Sequence, residues 1–185
     1  MKNIPKITFI MMTLMVLLAN VAFAATSVGV VIIGGSDFKT PDFYKYAKDE
    51  LIDDGETRYE IFIGNDMQSK YMEYWLEQGY IEEQKPNKQT LVDFVVFSKC
   101  DKVLFLVVKD PQLEKSEEGF AVHNRVSIQT NAILCDGEKI LSSCSATRND
   151  DSYTSDLRAK RGAFQKCLED IGVKMKPEFK KIRAF

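Results

Sequence analysis

Polar side chains occupy every second position between residues 123 and 131. Alternate residues of a β-strand share one face, so these side chains would form a single row. The row contains neither Lys nor Glu, which protein interfaces deplete, and it contains an Arg, which they favour. We predict that it is a protein-binding surface, with a merely solvated sheet face as the alternative. Its members are His123, Arg125, Ser127, Gln129 and Asn131.

His123 is the only histidine of the chain, so a catalytic site that uses histidine in this row would depend on it. A Ser–His–acid triad is assembled in space rather than in sequence, and the row leaves that arrangement open. The sequence has no GxSxG motif, which holds the nucleophilic serine in many hydrolases. We therefore favour binding over catalysis for this row.

A second group of residues suited to chemistry follows two apolar runs. In parallel sheets, ligands bind at the carboxyl ends of strands, beside helix N-termini whose free N–H groups favour anions. The segment GGSDFKT matches neither the dinucleotide motif nor the phosphate-loop motif, and glycines and acids are also common in turns. A small-molecule site here is the alternative function. Its residues would be Gly34, Gly35, Ser36, Asp37 and Asp110.

The four cysteines are Cys100, Cys135, Cys144 and Cys167. With one histidine and no CxxC pair, we predict no metal site, and no motif indicates a cofactor. Two disulfides in three arrangements are open, as are four reduced core thiols. Either register of a hairpin turning at 136–137 keeps Cys135 and Cys144 too far apart to bond. A bond between Cys144 and Cys167 would tie that hairpin to the last helix.

Apolar periodicity predicts the elements that would position these groups. Runs with almost no charge are typical of parallel strands buried on both faces, and they occur at Thr26–Ile33 and Lys102–Val108. A further parallel strand is predicted over 58–63. Segments with one apolar side predict four helices. One begins at Thr40, two cover 67–78 and 88–98, and the last runs from Ser155 to Gly172.

The segment after the third apolar run has a different pattern. Residues 112–119 are charged and are predicted to form a loop. Clean alternation over 120–135, the turn signal Asp136-Gly137 and a return over 138–147 predict a long antiparallel hairpin. The element order is therefore β-α-β-α-α-β-β-β-α. This order predicts a single α/β (α+β) domain of two or three layers, with three parallel strands, the hairpin and about four helices.

The chain has 185 residues, and the first 24 have the features of a signal peptide. Lys2 and Lys6 precede an apolar run that ends in Ala22-Phe23-Ala24, a small-x-small cleavage site. We predict cleavage after Ala24, a domain over 25–173 and a basic C-terminal tail over 174–185. No later run approaches the roughly 18 apolar residues of a membrane span, so the mature protein is expected to be periplasmic or secreted.

The net charge of the mature chain limits the classes of partner that it is expected to bind. Without the two leader lysines, 23 basic and 27 acidic residues remain, a net charge of about −4. A strongly basic nucleic-acid binder is therefore not expected. The basic tail is suited to weak contact with anionic surfaces.

The leader, the DGEKIL hairpin over Asp136–Leu141 and the final RAKRGAF helix over Arg158–Phe164 resemble features of a group of small bacterial envelope domains. That group includes the N-terminal domain of TolB and the curli secretion protein CsgG. The resemblance implies a non-enzymatic envelope protein that acts through contacts with other envelope proteins. The alternative is a periplasmic small-molecule-binding protein or enzyme that uses the strand-end residues.

Overall fold

Each predicted strand and helix has a counterpart in a computed structural model, which describes residues 26–52, 59–118 and 121–182. The leader and its cleavage site lie outside the described residues. The element bounds are β1 Thr26–Ile33, α1 Pro41–Ile52, β2 Tyr59–Ile63, α2 Asn65–Glu77, α3 Lys88–Ser98, β3 Lys102–Val108, β4 Gln112–Glu118, β5 Ala121–Asp136, β6 Ile140–Ser152 and α4 Asp156–Ile182, with a short 3₁₀ helix at Ser36–Phe38.

One mixed sheet of six strands forms the middle layer. Strand β1 pairs in parallel with β2 on one side and with β3 on the other. Strands β3, β4 and β6 all run antiparallel to β5. Because β3 pairs with residues 130–136 of β5 and β4 pairs with 121–127, these two strands share one edge of β5, and β6 occupies the other edge.

Helices cover both faces of the sheet, so the fold is a three-layer α+β domain, within the predicted class. Val28, Val30 and Ile32 of β1 face the core that contains α1 and α4. Val31 and Ile33 face the second core, with α2 and α3. Since both faces of β1 are buried, nearly every position of the strand is apolar, which explains why its run has no charge.

The charged segment predicted as a loop at 112–119 is strand β4 over Gln112–Glu118. Strand β5 has 16 residues, and β3 covers only its second half. After the connector that ends in Pro111, the chain continues beside the first half of β5, where Leu113 is opposite Val126. Backbone pairing at a sheet edge requires no apolar side chains, so the composition of β4 gave no strand signal.

The hairpin turn lies one residue later than predicted. Asp136 Oδ1 accepts hydrogen bonds from the backbone N–H groups of Glu138 (2.9 Å) and Lys139 (2.8 Å), which closes the turn. A bulge between Leu134 and Cys135 then shifts the register, so that Cys144 pairs with Ala132. Cys135 faces α2 and α3, whereas Cys144 packs toward α1 and α4. All four cysteines are unbonded in the structure.

Helix α4 does not end at Gly172, as predicted, but continues to Ile182. A Cβ atom on Gly172 would lie 2.6 Å from the Glu50 carbonyl oxygen, so this glycine permits close approach of α4 to α1. Met175 and Phe179 beyond it are buried, and the Phe179 ring stacks on Tyr59 at 6.1 Å. Packing against the sheet therefore holds the second half of the helix, although it contains Pro177.

Two lysines of α4 reach across the free edge of β6. Lys174 Nζ donates to the Ser145 carbonyl oxygen (2.6 Å), and Lys166 Nζ lies 3.4 Å from the Asn149 carbonyl oxygen. Lys166 also forms an ion pair with Asp150 (2.7 Å). Backbone acceptors at the sheet edge are therefore partly occupied by side chains. Among the described helices, none is long and apolar enough to span a membrane.

Candidate functional site

The predicted row lies on the sheet face that α2 and α3 cover elsewhere. At Phe105 and Cys135 that face is fully buried, whereas the row at 123–131 is exposed or half-buried. Strands β4 and β6 pair on either side of β5 and extend the row into a three-stranded surface. We call this surface the open polar face; it consists of Gln112, Glu114, Ser116, His123, Arg125, Ser127, Gln129, Asn131, Thr147, Asn149, Asp151 and Tyr153.

Arg125 lies at the middle of the open polar face. It is opposite Glu114 on β4 and Asp151 on β6, and its Nε atom is 4.0 Å from Asp151 Oδ1. With the Asn149 amide oriented to satisfy its neighbours, Asn149 Oδ1 accepts from Arg125 Nη2 (3.2 Å), and its nitrogen donates to Ser127 Oγ (2.9 Å). The guanidinium is thus held by neighbours while its side chain stays 52% exposed.

A shallow depression of about 280 Å³ lies beside this guanidinium. Gln112, Glu114, Arg125, Ser127 and Asn149 line it. The lining combines amide, carboxylate, hydroxyl and guanidinium groups, so it offers both donors and acceptors to a partner. Its chemistry suits a hydrogen-bonding partner rather than an apolar one.

His123 has a neighbour at each ring nitrogen. Its Nε2 atom is 3.5 Å from Asp151 Oδ1, its Nδ1 atom is 3.5 Å from Ser116 Oγ, and its ring lies 4.8 Å from that of Tyr153. Ser, His and Asp thus meet, but both distances exceed the roughly 2.6–3.2 Å of an effective proton relay. We interpret the group as a polar network that fixes the imidazole on the open polar face.

Contacts with α1 and α4 hold the loop that contains Ser36 and Asp37 of the strand-end group. Asp37 pairs with Lys160 of α4, and Asp42, at the start of α1, pairs with Arg161 at 2.7 Å. Ser36 and Asp37 belong to the 3₁₀ helix, whose Phe38 is buried against Phe43 and Phe164. This packing ties the loop down onto α1 and α4.

The other members of the strand-end group are divided between two connectors. Gly34 has a φ of 153°, and a Cβ atom there would lie 2.9 Å from the Val108 carbonyl oxygen, so glycine is required for this approach. Gly35 is exposed, and Asp110 is exposed in the connector after β3. Nearby, Lys39 pairs with Glu83, and burial raises the pKa of that carboxyl group although Lys39 opposes the rise.

Sequence reasoning identified the row on β5 but missed its neighbours. Glu114 and Ser116 lay in a segment predicted to be a loop, and Asn149, Asp151 and Tyr153 lay beyond the predicted end of the return strand. Polar residues continue at alternate positions from 143 to 153, and this was the available signal. Within the described parts of the chain, no cluster of three His, Cys, Asp or Glu residues could hold a metal ion.

No protein-family model and no curated protein match this chain. Among solved structures, it is similar to a lipoprotein from Neisseria meningitidis, with 16% identity, coverage of 82% of this chain and 99% of that chain, and a TM-score of 0.45. A minor lipoprotein from Acinetobacter baumannii follows, with 10% identity, coverage of 86% and 93%, and a TM-score of 0.33.

A hypothetical protein from Chlamydia trachomatis is also similar, with 9% identity, coverage of 87% of this chain and 95% of that chain, and a TM-score of 0.38. All three TM-scores are below 0.5, so the function has to be inferred from the residues of this chain itself.

Proposed function

We propose that this chain is an exported protein of the bacterial envelope that acts by binding another protein through the open polar face. Two features support the proposal. The first 24 residues have the features of a cleavable leader, and the open polar face is chemically suited to a polar protein partner. No cofactor enters this proposal.

The composition of the open polar face carries the argument. Its twelve positions include one Glu and no Lys, although a solvated sheet face tends to use these long charged residues. Interface centres favour Arg and Tyr, and this face contains Arg125 and Tyr153. They deplete Lys, Glu, Asp and Ser, and of these types the face has no Lys, one Glu, one Asp and two Ser. Because its neighbours hold Arg125 in place, a partner would lose less conformational entropy in ordering it.

The partner surface is tested by crosslinking in cells. A photoreactive amino acid at Gln129 should give a discrete crosslinked product, and one at Lys48, exposed on α1, should not. Arg125→Glu should remove the product, because a reversed charge at an interface costs several kcal/mol. Ser127→Trp should remove it as well, by blocking close approach without changing the charge.

The strand-end alternative provides the control. Asp37→Ala should leave the crosslinked product unchanged. If Asp37→Ala removes the product while Arg125→Glu and Ser127→Trp, both with unchanged melting temperatures, leave it intact, the open polar face is not the binding surface.

Export is tested separately. N-terminal sequencing of the protein from cells should begin at Ala25, because the leader is expected to be cleaved after Ala24. An intact Met1 on protein recovered from the cytoplasm would contradict the envelope role.

A further inference from the structure

A groove of about 490 Å³ lies on the opposite side of the sheet from the open polar face. Tyr46 of α1 and Asp150 of β6 form two of its walls. The first turns of α4 form the rest of the lining, with Ser155, Arg158, Arg161 and Gln165 as the polar groups. The groove is therefore independent of the proposed protein-binding surface.

The two arginines of the groove have unused donors. Arg158 and Arg161 are three residues apart on α4, so they project to the same side of the helix. Within the described parts of the chain, the Arg158 guanidinium makes no hydrogen bond or ion pair. Arg161 uses Nη2 to pair with Asp42 (2.7 Å), but its Nε atom is buried without an acceptor.

Two of the acids around the groove have cationic partners, and a third, Glu50, accepts from the side-chain amide of Gln165 (3.4 Å). Asp150 pairs with Lys166, and Asp42 pairs with Arg161, whereas Arg158 adds a positive charge that no described acid neutralises. The positive end of the α4 dipole lies at the same place. Because the Arg161 Nε atom is buried, an anion in the groove would contact the terminal nitrogens of the two guanidinium groups instead.

The chemistry of the groove indicates the class of anion. The planar fork of a guanidinium matches the oxygen atoms of carboxylates and phosphates. A phosphate ester carries close to two negative charges at pH 7 and so matches two arginines, whereas a carboxylate carries one. The groove is larger than a bare ion needs, and Tyr46 and Gln165 line the remainder. We infer that this groove binds a phosphate group carried by a small polar molecule, with Arg158 and Arg161 as the phosphate ligands.

Titration of the purified protein with glycerol 3-phosphate, and with glycerol as the neutral probe, tests the site. We expect saturable binding of glycerol 3-phosphate and no binding of glycerol. Calorimetry and shifts of the amide resonances around residues 155–158 measure this binding. Arg158→Gln should weaken this binding roughly tenfold or more, because a charge-assisted hydrogen bond is lost. Since the Arg158 guanidinium has no described partner, this variant should fold normally.

Arg148→Gln is the matched control. Arg148 pairs with Asp170 (2.7 Å) and lies outside the groove lining, so its loss should change the affinity less than twofold. Absence of saturation by about 10 mM glycerol 3-phosphate, or equal losses in Arg158→Gln and Arg148→Gln, would overturn the assignment.

A second arm distinguishes the source of the phosphate group. Vesicles that contain phosphatidic acid are compared with vesicles of phosphatidylcholine alone. Binding to the former that Arg158→Gln removes would support the site with a lipid headgroup as its ligand. Binding of the soluble ester without binding to either vesicle would support the site with a soluble ligand.

Discussion

Gly172 and Gly35 are two glycines whose surroundings differ. At Gly172 an added Cβ would meet the Glu50 backbone carbonyl at 2.6 Å, whereas at Gly35 it would meet nothing within 4 Å. Gly35 also has an ordinary φ of −57°. Gly172→Ala should therefore lower the free energy of unfolding by about 1–2 kcal/mol, because an overpacking cost of about 2–3 kcal/mol outweighs the gain of about 1 kcal/mol in helix propensity.

Gly35→Ala is the matched control, and it should leave stability unchanged or raise it by about 0.4–1 kcal/mol. Urea unfolding of the two variants measures both values. Equal midpoints for the two variants would mean that α1 and α4 do not approach each other as closely as described.

At single positions, prediction from sequence succeeds where helical periodicity decides the burial of a side chain. Phe43, Ala47 and Leu51 repeat along one side of a predicted helix, and all three are buried, because helical periodicity alone decides which side faces the core. The neighbours of Arg125 could not be predicted in this way. They depend on which residue of β6 is opposite it, and the bulge near the hairpin turn sets that register.

Among the elements, the second half of α4 departs most from the prediction of a basic tail. Phe179 is 3% exposed and stacks on Tyr59 of the edge strand β2. Phe179→Ala should lower the free energy of unfolding by about 3 kcal/mol, because it leaves a cavity between α4 and the sheet. Urea unfolding provides the measurement.

The neighbouring exposed residue Lys180 provides the control for this variant. Lys180→Ala should change stability by no more than about 0.5 kcal/mol. If Phe179→Ala is equally mild, residues 174–182 contribute nothing to the fold and act as a solvated tail.

The predicted bounds agree with the structure for elements that have strong local signals. They disagree for elements whose extent depends on a distant partner. β1, β3 and α3 match their predicted ranges residue for residue. For α3, a local capping box between Asn87 and Thr90 fixes the start. β4 is a strand because β5 is long enough to pair with it, and α4 continues beyond Gly172 because Met175 and Phe179 pack against the sheet. Neither cause can be inferred from the sequence of β4 or of the second half of α4 alone.

For the molecule as a whole, buried thiols make stability depend on pH. Burial raises the pKa of Cys135 from 9.0 to about 11, with a further rise from the Asp136 carboxylate, and burial also raises the pKa of Cys144 and Cys167. Above pH 9 the unfolded chain loses these protons while the folded chain keeps them. The contribution of these thiols to the free energy of unfolding should therefore be constant below pH 9 and fall between pH 9 and pH 11.

The contribution of Cys135 to this decline is about 2 kcal/mol, at roughly 1.4 kcal/mol per pH unit for one proton. Guanidinium unfolding of the wild type and of Cys135→Ala at pH 8 and pH 11 measures it. The variant should show a shallower decline than the wild type. Parallel declines would indicate that this thiol is as accessible to water in the folded chain as in the unfolded one.

The two lysine contacts on β6 bear on how the protein behaves when it is concentrated. A strand of 13 residues with a free edge is a ready template for a strand from another copy, and growth of such ladders is the first step toward fibrils. An incoming strand would have to displace Lys174 from Ser145 and Lys166 from Asn149 before it could form a continuous ladder. The helix that completes the core thus also hinders the addition of a strand from another copy at this edge of the sheet.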